Sequence, residues 1–505
     1  MAALDIPGAF GQQSINLRVP VAMYAESRKS LVSKFMEENS GPAIFLLKGG
    51  EQAMRNESDH EPIFRQESFF AHLFGVIESE CYATIEVPSG KSTLYVPKLP
   101  QSYACWSGVI KSLETFKNLY QVDEVCYVHD LFKNLTEHPD VIPTLNGGGA
   151  APIVHTIYGL NSDSGVSGPP LPDFEGFDKI PSTSDILRDL AVEVRVLKSD
   201  AEIEMLQLVN DIGSDGHMAT IRHAKAGLYE FQLESVFMHH CYYNGGCRNS
   251  PYTSICGCGI NSATLHYGHA GAPNDYQLKD GQVMLMDMGC ELKCYGSDIT
   301  CSFPVSGKFT PDQKAIFDTV AQMQIDVMKA MKPGVEWVDM HELALRTGLE
   351  GLVKLDILTG SVDEMMQAGV GTFFMPHGLG HLIGVDTHDV GGYPTGGTAR
   401  DTRFGYRSLR MQRTLVPRMV ITVEPGIYFV DYLLDDLESG TNTKSYVNKE
   451  RLDSFRGFGG IRLEDSVVIT SSGIRNLTTC PRTTEDVEGV MAGTITNKNQ
   501  LTRLI

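Results

Sequence analysis

The stretch VMLMDMGCELKCYGSDITCSF, residues 283–303, decides how the C-terminal half of this chain folds. Val283–Met286 is an apolar run that ends on Asp287, with a glycine two residues on. Ile299–Phe303 is a second apolar run that starts directly after Asp298. Turn-forming residues between the runs make the segment read as a β-hairpin. With Leu292–Lys293 at its tip, Asp287 faces Asp298 across the ladder, their β-carbons roughly 5 Å apart. Two like charges side by side weaken a sheet unless a cation lies between them. The pattern returns at an offset of 137, where VITVEPG (420–426) repeats VMLMDMG (283–289): apolar strand, acid, any residue, glycine. That points to a pseudo-symmetric domain whose halves carry acids to a shared centre.

Three more side chains belong with the two aspartates: His381 in HGLGH, Glu424 in VITVEPGIYF and Glu464 in IRLEDSVVI. Four carboxylates and an imidazole make a costly interior if left unliganded, because an unpaired buried carboxylate costs several kcal/mol or is protonated. A pair of hard divalent cations removes that cost and supplies a reaction, so the set suggests a two-metal hydrolase. HGLGH places His377 four residues before His381, but its two glycines favour an irregular turn over a helix. His388 follows in DTHDVGG. This is not the HExxH zinc helix, and a carboxylate-rich set favours Mn²⁺ or another hard ion. Arg462 lies two residues before Glu464 on one strand face, where a guanidinium can orient a metal-bound carboxylate.

The rest of the composition narrows the class. A chain of 505 residues with 42% apolar and 21% charged residues fits two or three globular domains. Net charge is −20 with no long basic run, which argues against nucleic acid as a partner. Eleven scattered cysteines without a CxxC pair fit a reducing compartment. The opening MAALDIPGAFGQQ has neither a basic nor an apolar leader region, and no run approaches the ~18 apolar residues of a membrane span. A cytoplasmic protein without membrane contact is the expectation.

Along the chain, residues 1–160 alternate short apolar runs (PAIFLLKGG, CYATIEV, STLYVPKL, EVCYVHDL) with helical stretches such as 23–39, the pattern of a small α/β domain. Residues 161–198 read as a linker, opening on Gly-, Ser- and Pro-rich sequence. Residues 199–490 form the larger domain, and 491–505 a tail. Helices announce themselves by their caps. Ser199 and Glu202 form a capping box, and so do Thr310 and Gln313 around Pro311. A further helix from about Tyr229 stops at Asn244-Gly245-Gly246.

The motifs LHYGHAGAPND, LMDMG…SDITCSFP, FMPHGLGHLIGVDTHDVGGYP, RSLR, TVEPGIYF and FGGIRLEDSVVI resemble, in order and spacing, those of the Xaa-Pro dipeptidase (prolidase) family of pita-bread metallopeptidases. FRQESFF, GKSTLYVP and the segment around Trp106 are similar too, so the likeness runs from about residue 15 to 490. The resemblance implies an α+β fold, with a C-terminal pita-bread domain and a smaller N-terminal α/β domain. It implies a hydrolase of Xaa-Pro and Xaa-hydroxyproline dipeptides. Its two Mn²⁺ per subunit would be held by Asp287, Asp298, His381, Glu424 and Glu464, with Asp298 and Glu464 bridging and a hydroxide shared between the ions. His266 and His388 match histidines that contact substrate and stabilise the tetrahedral intermediate. Glu424 would act as base, Arg410 would hold the terminal carboxylate, and Tyr252 would line the pocket. Thr300, His377 and Arg462 would orient the ligands. Trp106 matches a residue that reaches the neighbouring subunit's site, which implies a homodimer. The alternatives are an Xaa-Pro aminopeptidase of the same fold, against which RSLR and the N-terminal half argue, and a silent binding protein, against which the complete ligand set argues. Cys290 and Arg418 stand where the family has glycine, and the stretch 145–157 looks longer than its counterpart.

Overall fold

The computed structural model describes residues 21–145, 153–269 and 271–505. The opening MAALDIPGAFGQQ and most of the 145–157 stretch lie outside the described residues. The chain divides into two units between Glu202 and Ile203.

In the smaller unit, β1 (Ala43–Lys48), β2 (Tyr82–Val87), β3 (Ser92–Val96), β4 (Glu124–Tyr127), β5 (Val154–Thr156) and β6 (Ser182–Thr183) form one mixed sheet in the order β4-β3-β2-β1-β5-β6. Strand β1, AIFLLK, is buried along its whole length, as a central strand with apolar side chains on both faces must be. Ile44, Leu46, Tyr82, Tyr95, Leu131 and Val154 form the core on one side. Helix α1 (Ala22–Glu38) buries Leu31, Val32 and Phe35, and α2 (Ser68–Phe74) is capped by the Glu67 carboxylate on two backbone N–H groups. The stretch 161–198, read from sequence as a linker, belongs to this unit. After a Gly- and Pro-rich loop it supplies β6, which pairs with β5, and α3 (Leu187–Val196).

The larger unit starts within α4 (Asp200–His223), whose capping box forms as its sequence predicts. Helix α5 (Glu230–Gly245) ends on left-handed Gly246. Strands β7 (Ile255–Cys258), β8 (Val283–Asp287) and β11 (Thr300–Pro304) make one antiparallel sheet with β8 central, while β9 (Glu291–Leu292) and β10 (Tyr295–Gly296) extend the hairpin beyond it. Helix α6 (Pro311–Ala330) carries the Thr310–Gln313 box, and α7 (Trp337–Lys354) follows. The second half brings β12 (Val420–Val423), β13 (Gly426–Tyr428), β14 (Gly460–Arg462), β15 (Asp465–Ile469) and β16 (Ile474–Asn476). They are arranged as β12-β15-β16 and β13-β14. Strands β8 and β12, the two matching sequences, each lead into an acid. The 491–505 tail folds back, with Leu501 buried and the Thr502 N–H donated to Asp486.

The hairpin register differs from the sequence expectation. Lys293 and Cys294 both take positive φ (53° and 69°), so the two-residue turn sits one position later than Leu292–Lys293. Leu292 therefore pairs with Tyr295, and Asp287 lies opposite Thr300, not Asp298. Two left-handed residues are the mark of a tight hairpin turn, but Lys-Cys lacks the Asn-Gly signal that advertises one. Arg418 likewise takes φ +76°, the conformation glycine would adopt without a Cβ penalty.

Candidate metal centre

The five side chains arrive from both halves of the larger unit. Asp287 ends β8, and Asp298 sits two residues before β11. Glu464 lies between β14 and β15, held by its own N–H to the Thr300 carbonyl (3.1 Å). His381 comes from the irregular HGLGH turn, which lies along β12. There the Thr422 N–H reaches the His381 carbonyl (2.9 Å), and the Glu424 N–H reaches the Leu379 carbonyl (2.9 Å). Glycine makes this approach possible, because a Cβ on Gly380 would stand 2.0 Å from the Thr422 oxygen.

Oxygen and nitrogen donors of Asp298, His381 and Glu464 all lie within 4.8 Å of one another. His381 Nε2 is 3.4 Å from Asp298 Oδ2 and 3.5 Å from Glu424 Oε1. The other ring nitrogen of His381 lies 3.0 Å from the Leu382 carbonyl, and donating there leaves Nε2 to face the acids. Asp287 and Glu464 are tied together through Arg462. This guanidinium donates to Asp287 Oδ2 (2.7 Å), to Thr300 Oγ1 (3.1 Å) and to Tyr428 Oη (2.7 Å). Thr300 donates in turn to Glu464 Oε2 (2.8 Å). Tyr428 Oη is 3.0 Å from His377 Nε2, and His377 Nδ1 lies 3.8 Å from Glu424 Oε2.

One buried guanidinium cannot balance four acids. Burial raises the Asp287 carboxyl to about 6, with the Asp298 charge adding to the rise. Burial likewise raises Glu424 to about 7 and Glu464 well above the usual carboxylate range, and neighbouring acids push both further. Asp298 is held below its ordinary value, because His381 and Tyr252 outweigh its burial. Burial opposes a proton on His381, yet Asp298 and Glu424 raise its affinity. Asp298 Oδ1 is buried without a hydrogen-bond partner. A mutually repelling set of hard oxygen donors, one imidazole and one orphaned oxygen fits divalent cations.

The remaining expected residues of the larger unit surround this set. The Tyr252 hydroxyl donates to Asp287 Oδ1 (2.7 Å). The His388 ring stands perpendicular to that of His381, centroids 4.6 Å apart. Desolvation and the charge of Arg410 lower both His266 and His388, so all three share one electrostatic neighbourhood. Burial takes His377 down to about 3, which keeps its ring neutral. Trp106 lies on a helical turn of the smaller unit and is 86% exposed.

Three residues escaped the sequence reading. Tyr428 joins Arg462 to His377. Arg482 donates to the Glu464 carbonyl (2.7 Å) and pairs with Asp465 (2.6 Å), both residues buried. Gln324 on α6 donates to the carbonyls of Val423 (3.0 Å) and Leu463 (3.3 Å), each the residue before a candidate ligand. Its position between Val320 and Val327 on the apolar stripe was a usable signal, since a polar side chain there must find buried partners.

Fold and site define a pita-bread protein with a carboxylate-and-histidine candidate metal centre. Residues 204–471 match the metallopeptidase family M24, and residues 24–140 match the aminopeptidase P N-terminal domain. The chain is 49% identical to the Xaa-Pro dipeptidase of Homo sapiens over 98% of both chains, and 48% identical to that of Rattus norvegicus over 97% and 98%. Among solved structures it is similar to aminopeptidase P from E. coli in its low-pH form (TM-score 0.74, 26% identity, 95% of this chain and 100% of that one). It is also similar to the Pseudomonas aeruginosa aminopeptidase PepP (TM-score 0.73, 28% identity, 94% and 99%). The chain belongs to metallopeptidase family M24.

Proposed function

We propose that this chain is a cytoplasmic Xaa-Pro dipeptidase that hydrolyses Xaa-Pro and Xaa-hydroxyproline dipeptides. In this proposal the protein is a homodimer, and Asp287, Asp298, His381, Glu424 and Glu464 would hold two Mn²⁺ per subunit. One observation supports it: Asp298, His381 and Glu464 bring ligand atoms within 4.8 Å of one another, with Glu424 3.5 Å from His381, in a chain 49% identical, nearly end to end, to a human Xaa-Pro dipeptidase. No helix among the described residues is long and apolar enough to cross a membrane.

When bound, such cations polarise the scissile carbonyl and acidify a shared water. The protein's groups then divide the remaining work. Glu424, whose side chain is 18% exposed, opens toward substrate more than the other acids, takes the nucleophile's proton at Oε and returns it to the departing nitrogen. That nitrogen belongs to proline and carries no N–H of its own. His266 and His388 donate N–H groups to the developing oxyanion. Tyr252 and Arg462 hold the two Asp287 oxygens apart and fixed. Arg410 grips the proline carboxylate with its fork and leaves no room for a third residue. Trp106 completes the partner copy's pocket. An assay with Mn²⁺ supplied, comparing Gly-Pro with Gly-Pro-Ala, tests the reading. Cleavage of the dipeptide alone supports it. Preference for the tripeptide would make the chain an aminopeptidase, the activity named for the solved structures it resembles.

A further inference from the structure

Two buried thiols that are not candidate ligands form a pair. Cys301 lies on β11 opposite Met286, and Cys480 lies beyond β16; the two are 1% and 6% exposed. Their side chains are in contact, and both cysteines are free. Arg482 points Nη1 at the Cys301 sulfur from 3.4 Å. His217 fixes one ring nitrogen on the Met288 carbonyl (3.0 Å); its ring lies beside Cys301, and its other nitrogen is buried without a hydrogen-bond partner. Cys480 and Arg482 also line a cavity of about 320 Å³, whose wall includes Arg475, Asn476 and Thr479. A small polar solute in that cavity therefore reaches Cys480 and Arg482, the two residues that lie against Cys301, without unfolding the sheet.

We propose that Cys301 and Cys480 are a peroxide-responsive modification site that closes to a disulfide. The pair is asymmetric, as such a site requires. Burial opposes ionisation of Cys301, but Cys480, His217 and Arg482 outweigh it and hold this thiol well below its ordinary range, whereas burial pushes Cys480 well above it. One sulfur is the nucleophile and the other resolves it. The Cys301 proton passes to His217, and the thiolate attacks one oxygen of hydrogen peroxide. The O–O bond breaks, giving a sulfenic acid, and the leaving hydroxide takes the proton from His217 as water. The Cys480 sulfur then attacks the Cys301 sulfur. The S–O bond breaks, and the departing hydroxide leaves as water with the Cys480 proton. Two thiols lose two electrons in all, and one peroxide becomes two waters. The site is placed to matter, since Cys301 lies between Thr300, which holds Glu464, and Ser302, which bonds the Arg462 backbone.

The chemistry is independent of peptide hydrolysis, so the test reads sulfur and not turnover. The full chain is treated with hydrogen peroxide, quenched with N-ethylmaleimide under denaturing conditions, digested with trypsin and mapped by mass spectrometry. The expected product joins peptide 294–308 to peptide 476–482, two hydrogens lighter than their sum, and dithiothreitol separates them. Cys294 shares the first peptide, so the experiment is repeated in Cys294→Ser, where the link persists. In Cys480→Ser a dimedone adduct accumulates on Cys301. Alkylation at Cys301 and Cys480 is lost at least about tenfold faster than at buried Cys81 and Cys256, whose thiols are raised by burial. The idea fails if Cys301 and Cys480 stay alkylatable while exposed Cys105 is oxidised, or if the link uses Cys294.

Discussion

Replacing Arg462 by methionine removes the guanidinium that donates to Asp287, Thr300 and Tyr428 together, at 2.7, 3.1 and 2.7 Å. Methionine keeps much of the volume, so the loss is one of charge and hydrogen bonds. Asp287 retains Tyr252, and Thr300 retains Glu464, which limits the damage. Breaking a buried ion pair from one side costs about 3–5 kcal/mol, and that is the expected destabilisation of the metal-free larger unit. Fluorescence can isolate that unit. The chain has two tryptophans, Trp106 on the smaller unit and fully buried Trp337 at the start of α7, so Trp106→Phe leaves one reporter. Denaturant unfolding in that background should show the midpoint fall with the slope unchanged. Arg462→Lys should recover less than half of the loss, because one ammonium cannot span three acceptors. A cost below about 1 kcal/mol for the methionine variant would refute the claim that this guanidinium braces the centre.

Asp298→Asn should leave fewer than two Mn²⁺ per chain by elemental analysis, since a proposed ligand oxygen loses its charge; two retained ions would count against that role. Arg410→Ala should lower kcat/KM for Gly-Pro by roughly 10- to 100-fold through KM, as expected for losing a charge-assisted hydrogen bond, while metal content stays the same. Glu202→Gln keeps the capping geometry but removes a buried charge. Burial alone would raise this carboxyl, yet His72 and Lys198 hold it below its ordinary value. A depressed folded-state value stabilises above the unfolded one and is lost as pH falls through the folded one. The variant should therefore be less stable than the parent at neutral pH and equal to it in strong acid, as denaturant midpoints at the two pH values would show.

Much of this molecule was legible because its signals are local. The Thr310–Gln313 and Ser199–Glu202 boxes start helices where their spacing says they should. Apolar runs ending in acids placed β8 and β12 and brought Asp287 and Glu424 to the strand ends. Other features depend on tertiary partners. The hairpin slipped by one position because Lys293 and Cys294 take left-handed conformations that neither residue type announces. Tyr428 and Arg482 become visible only once β13, β14 and the segment after β16 converge on Glu464 and Arg462. The sulfur pair was hidden for the same reason, since its cysteines are 179 positions apart and meet through sheet packing.

Crystals grown with Mn²⁺ and measured at the manganese absorption edge test the central claim most directly. Two anomalous peaks should appear among the carboxylate oxygens of Asp287, Asp298, Glu424 and Glu464 and the Nε2 of His381. Peaks bound elsewhere, or none within reach of those atoms, would contradict it.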